Sequence, residues 1–269
     1  MLNTKTYIKA WMKYGRFSII SLFYILLSVS SSGTRLVAQV QTVFSFDPYA
    51  FRKHALAVGA SLNTQGMGID VLQIRRLEKN NEVFILYQLA SLVDSREQAI
   101  RNDNLYESAK YFVFDKKNYC YTLGGVIGLQ RIINPLDNFS RFSIRVGVGM
   151  GPVIALLKPY YVDYFLPSPT NPNFGTAVPR QYDHTQMNFT DIIGASDFFK
   201  GFEKLSFSLG LRFRPNIILN FANSNLYIRA IQIGAQLDIY SNAIEILDES
   251  EDYSVFLQGS IGFLIGNCW

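Results

Sequence analysis

The chain has 269 residues, 49% of them hydrophobic, 14% aromatic and only 17% charged, against roughly 25% charged residues in an ordinary soluble domain. This balance excludes a disordered chain, a coiled coil and a charged soluble enzyme surface. Two cysteines leave neither a disulfide scaffold nor a four-ligand zinc site, and the formal net charge of +4 resides in the N-terminal leader.

Residues 1–38 read as a cleaved secretory signal peptide. Lys5, Lys9, Lys13 and Arg16 form a positive region, and Phe17 to Val29 is an apolar stretch of 13 residues. That is short of the roughly 20 a spanning helix needs. Leu36, Val37 and Ala38 offer a cleavage site before Gln39. The alternative is a tilted anchor helix. The leader holds five of the 25 basic residues and no acidic one, leaving 20 basic against 21 acidic residues in the mature part. Nothing in that balance points to nucleic acid. Residues 39–53 are expected to be a short periplasmic segment, and 54–269 the folded domain.

Beyond the leader the dominant signal is period-two alternation, in runs longer than usual soluble strands. Strands are expected near 54–64, 67–77, 82–92, 109–115, 118–133, 141–157, 159–166, 203–218, 225–240 and 253–268. In 141–157, Phe142, Ile144, Val146, Val148 and Met150 share one face, and Ser143, Arg145, Gly147, Gly149 and Gly151 the other. One face is bulky and apolar throughout; the opposite one is small and polar. Lipid suits the first and the crowded inside of a narrow barrel the second. A closed sheet also satisfies every backbone N–H and C=O in hydrocarbon. The expected fold is therefore an all-β transmembrane antiparallel up-and-down barrel of about ten strands. Eight result if 109–115 and 159–166 are loop hairpins.

Glu78 to Asn81, Asp115 to Asn118, Lys158-Pro159 and Phe221 to Asn225 read as short inner turns. Asp94 to Ser108, Pro167 to Phe202 and Ser241 to Asp252 read as long outer loops. Tyr111, Phe112, Phe114, Tyr119, Tyr121, Tyr160, Tyr161, Tyr164 and Phe165 flank these turns and read as interfacial girdle aromatics. The terminal Trp269 follows the last strand directly, similar to the aromatic signal read by the barrel-assembly machinery.

Three segments taken together resemble a family of small, largely uncharacterised outer-membrane β-barrel proteins from Gram-negative envelopes. They are Ser61-Leu-Asn-Thr-Gln-Gly-Met-Gly-Ile69 with Arg75 and Arg76, Leu123-Gly-Gly-Val-Ile-Gly-Leu-Gln-Arg131, and Gly149-Met-Gly-Pro-Val-Ile-Ala-Leu-Leu-Lys-Pro-Tyr-Tyr161. The resemblance implies the fold and the membrane, and no reaction, cofactor or metal.

Asp70, Gln130, Arg145, Arg212, Arg214, Gln232, Gln236, Asp238 and Gln258 fall on the small face and are expected to line the lumen. They can act as a selectivity lining or fill the interior. Filling is the simpler reading, since open channels belong to barrels of roughly sixteen strands. Histidine occurs only at 54 and 184. Asp183 and His184 are the weak catalytic candidates, as a carboxylate can orient an imidazole base. The adjoining run from Ser168 to Gly175 reads as turn chemistry. Asp248, Glu249, Glu251 and Asp252 form an acidic loop that could take a divalent cation but lacks a calcium-loop spacing. Cys120 and Cys268 leave a bridge open. The expected role is a non-enzymatic structural or interaction subunit of an envelope assembly or transport complex. Its partners are outer-membrane lipid and lipopolysaccharide, the barrel-assembly machinery, and other envelope proteins reached through the long loops. The rivals are a barrel hydrolase, acting as a protease or on lipid A, and a narrow porin-like pore.

Overall fold

The computed structural model describes residues 53–78, 80–102, 109–134, 142–168, 175–183, 185–221, 227–248 and 252–269. The expected leader and all but the last residue of the 39–53 segment lie outside them. The strands in chain order are β1 (His54–Asn63), β2 (Gly66–Arg76), β3 (Asn81–Leu92), β4 (Ala99–Ile100), β5 (Phe112–Val113), β6 (Asn118–Asn134), β7 (Ser143–Pro159), β8 (Tyr161–Pro167), β9 (Gly175–Gln181), β10 (Ile192–Ala195), β11 (Ser206–Asn220), β12 (Tyr227–Ile244) and β13 (Tyr253–Cys268).

Eight of them close into a ring in the order β1, β13, β12, β11, β7, β6, β3, β2. The neighbours pair antiparallel. Closure is made by β1 against β13, from Ala55 opposite Cys268 to Asn63 opposite Ser260. The seam is finished by His54 and Trp269, whose backbones exchange hydrogen bonds of 3.0 and 2.9 Å. Their rings stack at 6.4 Å. With the edges joined, the ladder leaves no open strand for hydrocarbon to meet.

The alternation sorts as the sequence predicts. Leu209, Leu211 and Phe213 of β11, Val146, Val148 and Met150 of β7, and Leu257, Ile261 and Phe263 of β13 are exposed, Leu257 at 71%. A soluble protein rarely shows so continuous an apolar surface, and acyl chains remove the cost of it. The inward face is small where bulky groups need room. A Cβ at Gly124 would lie 2.6 Å from the Arg212 guanidinium, and one at Gly128 would lie 2.5 Å from the Phe84 ring.

Of the two expected strand counts eight holds, because 109–115 and 159–166 rise above the wall, and two other expectations need correction. Among the described residues β5 pairs with β4, and β8 lies in a separate sheet ordered β10, β8, β9. The turns at Asp115 to Asn118 and Lys158-Pro159 sit at the long-loop end, since Asn118 pairs with Pro159 and Leu157 with Ser206. Two expected girdle aromatics are buried: Phe112 and Tyr160 join Val162, Tyr182 and Ile192 in a small core above the barrel. Their clustering near strand ends reflects this second core.

Placing a charge on the wall tests the lipid-facing assignment. Leu211→Arg should lower the unfolding free energy of the reconstituted barrel by about 2–4 kcal/mol. Urea titration followed by gel mobility of the folded form measures it. An unchanged midpoint would mean that Leu211 faces water.

Candidate functional site

Two constructions stand out: the polar interior of the barrel and the cap above its long-loop end. In the interior, Arg212 on β11 faces Asp238, its register partner on β12. Arg212 Nε donates to Asp238 Oδ1 at 2.7 Å and Nη2 to Oδ2 at 2.8 Å. This bidentate fork is the strong form of ion pair, and both side chains are fully buried. Arg212 Nη1 also donates to Gln88 Oε1 at 2.7 Å, and Gln88 Nε2 in turn to Ser61 Oγ at 3.2 Å. Asp238 additionally accepts from Gln236 Nε2 at 2.9 Å and the Tyr240 hydroxyl at 3.5 Å. Arg214 reaches Gln236 Oε1 at 3.4 Å and Asp70 at 3.7 Å.

A second polar group lies toward the short-turn end. Glu82 accepts from Gln130 at 2.8 Å, Arg145 at 3.1 Å and Arg76 at 3.5 Å. The nine expected lumen residues are thus all buried, but not in one network. Asp70, Arg212, Arg214, Gln236 and Asp238 join the central belt, and Gln130 and Arg145 join the Glu82 group. Gln258 stands opposite Gln236 across the β12–β13 ladder. Gln232 is buried with neither amide atom hydrogen-bonded. Sequence reasoning missed Glu82, Gln88 and Tyr240. The alternation through β3, where Glu82, Phe84, Leu86 and Gln88 share the inward face, would have found the first two.

The interior is layered. An apolar group of Leu72, Ile74, Phe84, Leu86, Ile218 and Leu264 lies toward the short-turn half. Another, with Leu92, Cys120, Val153 and Tyr240, closes the opposite half. Ile246 and Leu247 join the latter, so part of the expected outer loop 241–252 turns inward as a plug. Lys117 fixes its edge, 2.8 Å from Glu245 and 3.4 Å from Asp248. The Glu245 carboxylate holds Lys117 above the ordinary lysine range. Asp248 is therefore ion-paired. Glu249 and Glu251 lie outside the described residues, and no metal-binding cluster occurs among the described ones. Cys120 sits near the plug and Cys268 beside the seam at the other end, so the two do not bridge.

The cap has its own architecture. The Tyr160 hydroxyl accepts from Val113 N at 3.0 Å and the Tyr182 hydroxyl from Asp115 N at 3.2 Å. Burial pushes the Tyr160 phenol well above its usual range. Asn102 Nδ2 donates to the carbonyls of Ile192 at 2.7 Å and Phe189 at 3.0 Å, tying one long segment to the other. Asp183 accepts from Thr185 N and Oγ1 at 2.9 and 2.6 Å, an Asx turn that takes up its carboxylate. His184 lies outside the described residues.

No family model matches the chain, and no curated protein does. Among solved structures, Neisserial surface protein A shares 9% identity at a TM-score of 0.41, over 81% of this chain and 96% of its own. Ail, the attachment invasion locus protein of Yersinia pestis, shares 9% identity at a TM-score of 0.36, over 81% and 99%. The same protein in complex with the heparin analogue sucrose octasulfate gives 9% and 0.35, over 81% and 99%. The eight-stranded ring itself rests on this chain's own strand pairing.

The central belt makes a specific demand. Arg212→Met strands the Asp238 carboxylate in the interior and should destabilise the barrel by about 3–5 kcal/mol. Arg212→Met with Asp238→Leu should recover most of that loss in the same urea titration. A double variant as weak as the single one would show that the pair does more than neutralise itself.

Proposed function

We propose that the protein is a non-enzymatic barrel of a Gram-negative outer membrane whose cap docks another envelope component. On this reading the leader 1–38 is removed on export and 39–53 stays in the periplasm. The barrel-assembly machinery inserts the chain with its short turns inward and its long segments outside. One observation carries the docking role: the long segments fold into an ordered body with its own apolar core and buried hydrogen bonds. Such ordering costs conformational entropy, and loops with no binding role have no need of it. A preorganised surface binds without that cost at the moment of contact.

The layered interior supports an anchor over a pore. Arg212, Asp238 and their partners occupy the middle, with an apolar plug above. In planar bilayers the purified protein should give no large stable conductance, and wide ion-selective steps would restore the pore. The turn-bound Asp183 weighs against the hydrolase, on which His184→Ala should cost a general base its usual 10²–10⁴-fold, roughly, in cleavage rate.

Pull-down from detergent-solubilised envelopes tests docking directly. Tyr164 and Val178 are register partners across β8 and β9, so a two-residue Asn-Gly turn can replace residues 165–177. The shortened chain should insert with normal heat-modifiable mobility and lose a stoichiometric partner that the full chain retains. Absence of any partner on the full chain, or an unchanged partner on the shortened one, would overturn the docking role. Cysteines introduced at 171 and 249 should label on intact cells. Labelling only after the outer membrane is broken would reverse the orientation.

A further inference from the structure

Between β10 and β11 the chain makes a tight turn whose side chains have no place in a water-exposed cap. Phe198, Phe199 and Phe202 are exposed at 51, 77 and 42%, yet their rings pack on one another at 5.6 to 6.3 Å. The turn is built rather than loose. Gly201 takes a left-handed φ of 92°, and a Cβ there would meet the Pro159 carbonyl at 2.7 Å, so only glycine seats the turn this close to the end of β7. Lys158 is buried beneath it, with its ammonium 4.3 Å from the Phe198 ring centre and 5.1 Å from that of Phe202. It donates to the carbonyls of Phe198 and Lys200 at 2.5 and 3.4 Å. Asp197 Oδ1 accepts from Phe199 N at 3.2 Å, so that acid is used within the turn. Lys200, Glu203 and Lys204 remain exposed on it.

The rings are continuous with the lipid-facing wall. Leu205, just before β11, and Phe207 at its start follow directly, both exposed, and Leu209, Leu211 and Phe213 continue the same face into the membrane. A cluster of aromatic rings at the top of a hydrocarbon-facing stripe meets the interface, where aromatic rings are most favourable. Ammonium groups beside it lie at headgroup depth, where they meet phosphate.

We propose that the turn from Phe198 to Lys204 is a lipid-docking wedge. Its three rings enter the outer leaflet, and Lys200 and Lys204 hold the phosphates of the leaflet's glycolipid. The glycolipid follows from the outer-membrane reading above; the insertion of the rings does not depend on it. Lys158 positions the wedge and does not touch lipid.

The test uses the full chain with Trp11→Phe, Trp269→Phe and Phe199→Trp, reconstituted in vesicles, with gel mobility confirming the folded barrel. Phe202→Trp on the same background serves if the first variant does not fold. The single indole should emit blue-shifted light and be quenched by lipids brominated high on the acyl chain. Water-like, unquenched emission would overturn the wedge, whichever way the barrel faces and whether or not a protein partner is found. Native mass spectrometry then reads the headgroup. The parent chain should retain bisphosphorylated lipid A roughly tenfold over the dephosphorylated form, and Lys200→Gln with Lys204→Gln should erase that preference. Equal retention of both forms by the parent chain would refute phosphate binding while leaving ring insertion to the fluorescence result.

Discussion

A sheet immersed in hydrocarbon has to close, because each unpaired N–H or C=O there costs several kcal/mol. In this chain closure depends on the meeting of the first and last wall strands, finished by His54 and Trp269. Once the ring is closed, the pleat allows no further choice of face. Every second side chain points into a space too narrow for water to pass freely, and every other one into lipid. The glycines beside Arg212 and Phe84, the buried charge pairs and the greasy exterior all answer that single geometric condition. Shifting one strand by a residue would exchange the two sets along its whole length.

The strands and their faces were legible because period-two alternation is local. Arg145, Arg212 and Asp238 could be placed on the inner face from their immediate neighbours alone. The pairing of Arg212 with Asp238 could not, since it depends on the register between β11 and β12, which no short stretch encodes. Glu82 went unnoticed for a related reason: it sits at the first residues of β3, beside a turn, where a carboxylate reads as solvated. Phe112 and Tyr160 read as girdle residues in the sequence because an aromatic near a strand end suits either an interface or a small core. Only the return of distant segments over them decides between the two. Ile246 and Leu247 were hidden by acidic neighbours, although their side chains turn the other way, into the barrel.

The interior and the cap solve the same problem by opposite means. Inside the barrel, buried charge is neutralised by paired side chains, Arg212 with Asp238 on the adjacent strands β11 and β12 and Arg145 on β7 with Glu82 on β3, across the intervening β6, so specificity resides in the register. In the cap, the backbone groups of irregular segments are satisfied by tyrosine hydroxyls and the Asn102 amide, so order resides in a few long-range bonds. The first arrangement tolerates little change in any strand. The second leaves the exposed surface of β9 able to vary while the small core stays put.

The near-continuity of β7 into β8 has a mechanical consequence. β7 ends at Pro159 and β8 begins at Tyr161, so one run of chain passes from the membrane wall into the cap sheet with only Tyr160 between, held in the cap core. A tug on the cap therefore enters the wall along a strand axis. Below, β7 is bonded on both sides over nearly its whole length, to β6 and to β11. Load applied that way must shear many hydrogen bonds together, whereas peeling a loop breaks them one at a time. The cap is thus attached to the wall as a tension-bearing fixture.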